Sequence, residues 1–90
     1  REETPRFTVT FGVMPDYLYQ GDGMRSDGVT DGRPASKAGF EKGDVVIEMG
    51  EMEVDGMQSY MKALSKYKKG DKTTVKVRRG DKEIKKKVTF

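Results

Sequence analysis

The chain has no cysteine, no histidine and no tryptophan. Without cysteine, neither a disulfide framework nor a thiolate zinc site can staple its 90 residues. That absence fits the cytosol and the periplasm equally. Without histidine as well, the common general bases, nucleophiles and soft metal ligands are missing. Catalysis would have to rest on carboxylates, lysines or serines, and the four serines (Ser26, Ser36, Ser59, Ser65) sit in no nucleophile-elbow pattern. Neither a catalytic residue nor a metal or cofactor site is therefore expected. No apolar run approaches the ~18 residues of a membrane span. The N-terminal Arg1-Glu2-Glu3-Thr4-Pro5 lacks the apolar core of a signal peptide, and residues 1–6 read as a linker remnant. The length allows one domain with one thin core, burying about 60–65% of the unfolded surface.

Charge is abundant and unevenly placed. The net charge is +3, yet residues 66–90 hold eleven basic and three acidic residues, whereas residues 1–65 hold seven basic and twelve acidic ones. A basic segment can mark a nucleic-acid or membrane footprint. Here the lysines alternate with Val and Ile, as an exposed strand face does, and no stacking aromatics are interleaved. A solvated hairpin is the expectation, with no nucleic acid and no membrane insertion. Asp16, Asp22, Asp27 and Asp31 do not keep the EF-hand spacing and read as turn residues. Arg79-Gly80-Asp81 spells a cell-adhesion tripeptide, but a Gly-Asp hairpin turn accounts for it.

The order of elements follows from periodicity and turn signals. Phe7, Val9 and Phe11 alternate with Thr8 and Thr10, the period of a half-buried strand. A Gln20-Gly21-Asp22-Gly23 turn precedes a strand over 24–29. Pro34 suits a first helical position and Gly39 a left-handed end, which gives a short helix over 34–38. Strands follow over 45–49 and, briefly, 52–54. A longer helix spans 57–67, with Tyr60, Ala63 and Tyr67 toward one side and Met57, Met61 and Leu64 toward the other. Segments 73–79 and 83–90 close the chain as a hairpin, with Lys86 on the inward parity and expected to snorkel out at an edge. The sum is an α+β domain: a partly open β-barrel or sandwich of five to seven short strands, one short helix and one long one.

Residues 27–47 resemble the central signature of PDZ domains, at Pro34, Ala35, Ala38, Gly39, Phe40, Gly43, Asp44, Val45 and Ile47. The match is structural in its physics: a one-turn helix packed through alanines, a left-handed glycine cap, and a Gly-Asp turn. Phe11-Gly12-Val13 resembles the family's carboxylate-binding loop, whose successive N–H groups converge on a chain terminus. The run Phe-Gly-Val-Met-Pro-Asp-Tyr with its following glycine-rich turn is similar to the C-terminal PDZ domain of bacterial exported zinc aminopeptidases. The resemblance covers residues 7–90.

That resemblance implies a non-catalytic peptide-binding module attached to a peptidase that is periplasmic or exported, and monomeric in isolation. A peptide would add as a strand beside residues 13–18, against the helix 57–67. Backbone amides of Phe11, Gly12 and Val13 would hold the carboxylate. Phe11, Val13 and Leu64 would wall the terminal pocket, with Met61 and Met57 further along and tolerant of shape. Arg6 could add charge near the loop. One departure stands out: Pro15 occupies a position where the family's strand donates an N–H to the peptide, so one rung is lost. The alternative is a structural or regulatory domain that docks on the parent peptidase's catalytic domain without taking free C-termini.

Overall fold

Strand propensity and glycine placement lay out a single open sheet. The computed structural model describes residues 10–90; the strand expected through Phe7 and Val9, and the linker 1–6, lie outside the described residues. Six strands form the sheet: β1 (Val13–Pro15), β2 (Met24–Val29), β3 (Val45–Met49), β4 (Met52–Glu53), β5 (Lys72–Arg79) and β6 (Lys82–Thr89). Their order is β1-β2-β3-β5-β6, with every pairing antiparallel. β2 and β4 share one edge of β3, on Val45–Val46 and Glu48–Met49 respectively. Among the described residues the sheet does not close into a barrel, and β1 and β6 stand at its two ends.

The short helix α1 (Pro34–Ala38) has the expected bounds. Gly39 adopts φ 92°, and the Phe40 N–H reaches back to the Ala35 carbonyl (3.0 Å), a glycine-capped stop that points Phe40 into the core. The long helix α2 (Met57–Leu64) is shorter than its sequence period suggests. From Ser65 the bonds tighten: Lys66 and Tyr67 N–H donate three residues back, to Ala63 and Leu64. That turn brings Tyr67 onto Phe90, with ring centroids 5.1 Å apart. At the other end Ser59 Oγ accepts the Gly56 N–H (3.1 Å), tying down an otherwise orphaned donor.

Core side chains come from every layer: Phe11, Met24, Ala35, Phe40, Val46, Met49, Val54, Tyr60, Ala63, Leu64, Val75, Val77 and Val88. Lys86 lies opposite Val75 on the inward face of β6 and is half-buried, its ammonium beside Gly39 at the end of α1. The long stem covers apolar surface while the charge reaches the carbonyl end of the helix, where a cation is favoured.

Among the described residues one charged group is wholly inside. Asp44, 2% exposed, receives a two-pronged bond from Arg79 (Nε to Oδ1 and Nη2 to Oδ2, both 2.8 Å) and the Glu41 N–H (2.9 Å). Ser26, also buried, donates Oγ to the Glu41 and Asp44 carbonyls. The carboxylate and its neighbours hold the Arg79 guanidinium above its ordinary pKa, chiefly through the Asp44 hydrogen bond. Replacing Asp44 with Ala deletes three charge-assisted bonds, and urea unfolding should show a loss of about 2–4 kcal/mol.

Burial, helped by nearby Tyr17, pushes the Tyr60 phenol above its ordinary value of 10.0. The unfolded chain releases this proton first, so above about pH 10 folding stability falls as pH rises. Tyr60→Phe removes that contribution. Urea unfolding at about pH 9 and about pH 11 should therefore show the stability difference shifting toward the variant at the higher pH.

Candidate functional site

The candidate site lies where the chain enters the sheet. The Phe11 carbonyl accepts the Ala35 N–H (2.9 Å) and the Gly12 carbonyl accepts the Thr30 N–H (2.8 Å), so the two are engaged by α1 and by the residue that follows β2. Gly12 sits at φ 87°, a left-handed conformation that side chains resist. A Cβ there would also collide with the Arg33 stem, which lies against it. No backbone acceptor among the described residues takes the Gly12 N–H. Val13 lies opposite Val29 in the register. Because the flanking Gly12–Thr30 pair is bonded, Val13 belongs to a pair whose N–H and C=O groups face away from β2. A tight glycine turn followed by an outward-facing edge residue is a concavity of donors suited to an anion.

The structure distributes the six expected site residues unevenly. Phe11 is 1% exposed, among the rings of Phe40 (5.6 Å), Tyr60 and Phe90 (6.4 Å each), so its side chain is core and only its backbone borders the loop. Leu64 is 7% exposed and belongs to the same core. Val13 and Met57 are half-buried against it, and Met61, at 36%, stands out from it. The edge strand is also shorter than the 13–18 expected. After Pro15, the Asp16 side chain accepts the Leu18 N–H (3.0 Å) and pairs with Arg25 (2.8 Å), which turns the chain away.

That turn walls a hollow against α2. A cavity of about 270 Å³ opens between residues 16–24 and the start of α2, lined by Asp16, Tyr17, Tyr19, Asp55 and Met57 among others. A larger hollow, about 510 Å³, is lined by Gly50, Glu51, Thr73, Thr74, Lys72, Lys85 and Lys87, a lysine-rich set remote from the glycine turn. Sequence reasoning missed Arg33. It is exposed, its stem crosses Gly12, and no acid pairs with it among the described residues. Its place immediately before Pro34 was the available signal. Arg6, the cation considered from sequence, lies outside the described residues.

The family model for the PDZ domain matches residues 9–90. The chain is a PDZ domain. Its fold is shared with an aminopeptidase N family protein from Idiomarina loihiensis (TM-score 0.83, 24% identity), over 99% of this chain and 15% of that one. The HtrA-type protease AlgW, solved with a decapeptide, matches at TM-score 0.82 and 20% identity, over 91% of this chain and 28% of its own. A serine endoprotease from Yersinia pestis follows at 0.69 and 19%, over 86% and 28%. This PDZ domain therefore corresponds to a small share of the peptidase chains it resembles. No curated protein matches it.

Gly12→Ala tests the loop geometry. Strain at positive φ and the clash with Arg33 should lower stability by about 1–3 kcal/mol in urea unfolding. A Gly43→Ala control, also at positive φ but with open space around the added Cβ, should cost less.

Proposed function

We propose that this PDZ domain is a non-catalytic module that takes an extended peptide with a free, apolar C-terminus and presents it to a linked peptidase. The observation that carries this reading is the outward-facing Val13 edge beside the Gly12 turn, at an end of the sheet. A peptide laid antiparallel to β1 completes that edge by strand addition. Its carboxylate meets the amides of the Phe11-Gly12-Val13 turn with Arg33 alongside, and its side chains meet Met61 and Met57. The parent we propose is a zinc aminopeptidase, exported or periplasmic, on the resemblance of residues 11–17 and the following glycine-rich turn; the fold itself is shared alike with an aminopeptidase N family protein and with serine proteases. The domain supplies binding only, and the metal chemistry belongs to the parent's own domain.

A second reading has its own support. Tyr17 and Leu18 are 78% and 88% exposed on a turn pinned by Asp16, and Met14 is 55% exposed nearby in the chain. Large apolar residues held out by a rigid turn suit a permanent contact with a catalytic domain. In that case the PDZ domain is a docking element and no free C-terminus is needed.

Fluorescence polarisation against pooled peptides with apolar C-termini, each as free acid and as amide, separates the two. Binding of the acids that vanishes with the amides supports the peptide module. Arg33→Gln should then narrow the acid-over-amide preference, and Met61→Lys should weaken binding at least about tenfold. Met61 is the cleaner choice than Leu64, whose burial would confuse lost binding with lost folding. No binding of either form at ~1 mM, about 4 kcal/mol of affinity, leaves the docking element as the account.

A further inference from the structure

The register of β1 on β2 determines what the free edge can offer. Thr30 N–H donates to the Gly12 carbonyl and Asp16 N–H donates to the Arg25 carbonyl (2.9 Å), so Gly12 and Asp16 face β2. Between them, Met14 lies opposite Gly28 and Pro15 opposite Ser26, a bulge that leaves Asp27 without a partner on β1. The irregularity absorbs an extra residue on β2 without rotating Pro15 inward. Strand alternation then turns Val13 and Pro15 to the open side. The edge presents a donor and an acceptor at Val13, an acceptor at Pro15, and no second donor.

Resting on the strand-addition reading above, we propose that the third residue from the peptide's C-terminus donates its N–H to the Pro15 carbonyl and finds no donor on β1 for its own carbonyl. The geometry is stepwise. The last residue pairs with Val13, its carboxylate toward Gly12. The peptide runs antiparallel, so the residue two places upstream pairs with Pro15. Its N–H has an acceptor, and its C=O faces a ring nitrogen that carries no hydrogen. The amide link between the third-last and penultimate residues is consequently not read by the protein backbone. Pro15 thereby sets specificity: the domain selects ligands by their terminal residue and by the N–H at the third-last position, and is indifferent to the acceptor strength of that one carbonyl.

The test is a double-mutant cycle across backbone atoms. The probe is a fluorescein-labelled hexapeptide, Ala-Ala-Val-Val-Ala-Leu, as free acid. Its partner is the ester analogue in which lactate replaces the penultimate alanine, which weakens the third-last carbonyl as an acceptor and removes an N–H that points away from β1. Wild-type protein should bind the two within about twofold. Pro15→Ala restores a donor, should bind the amide peptide about two- to tenfold tighter, and should lose that gain with the ester. An ester that weakens wild type as much as it weakens Pro15→Ala overturns the inference and leaves strand addition standing. So does a Pro15→Ala variant with no gain for the amide peptide. Failure of both proteins to bind either peptide overturns the inference together with the reading beneath it.

Discussion

A carboxylate with almost no solvent around it holds together the part of the molecule that the rest is built on. Asp44 follows the turn out of α1 and leads into β3, and Arg79 closes β5, the strand paired with β3. The guanidinium reaches the Asp44 oxygens, the Gly39 carbonyl at the end of α1 (3.3 Å) and Glu41 (3.6 Å). One side chain therefore fastens helix, turn and two strands. An isolated buried carboxylate would cost several kcal/mol, and the two-pronged geometry with its added backbone donor offsets this. Ser26 completes the arrangement by binding the same turn from β2. The cap of α1 is fixed in this way, and Phe11 and Gly12 bond in turn to α1 and to the residue that follows β2. The candidate site thus inherits its position from a charge pair on the far side of α1.

Among the described residues the two ends of the sheet differ in their chemistry, and this shapes what each can do. β6 is eight residues long and carries lysines at 82, 85, 86 and 87, charges that discourage edge-to-edge association. β1 has three residues, ends in proline, and turns away at Asp16. A short edge interrupted by proline suppresses aggregation while leaving one complete bonding position at Val13.

Much of the fold was legible from local signals because those signals act locally. Pro34 and Gly39 bound α1 through their own backbone preferences, and β2 and β3 begin and end where glycine and charge punctuate the apolar runs. The hairpin turns at Gly80 with φ 62°, as a Gly-Asp pair suggests. Arg79, however, was legible only as part of that turn, since its partner lies 35 residues away. The end of α2 was overestimated because Tyr67 keeps the helical period, yet stacking on Phe90 draws it out of the helix. The candidate site was read from a family pattern at Gly12, Val13, Met57 and Met61, which the fold leaves half-buried or exposed. Phe11 and Leu64 looked equally available, and the depth of the core placed both inside it.

Composition and motif order are enough for the kind of molecule: an α+β chain without cysteine or histidine, carrying the ordered Pro-Ala, Ala-Gly and Gly-Asp signature of a PDZ domain. Those features are contained in neighbouring residues, whose backbone preferences need no distant partner. The folded arrangement was needed to see which apolar side chains remain at the surface, that Arg33 lies across Gly12, and that Pro15 faces outward. Each of these depends on strand register and on packing between segments far apart in the chain. A shift of one residue in that register would turn Pro15 toward β2 and erase the asymmetry of the edge.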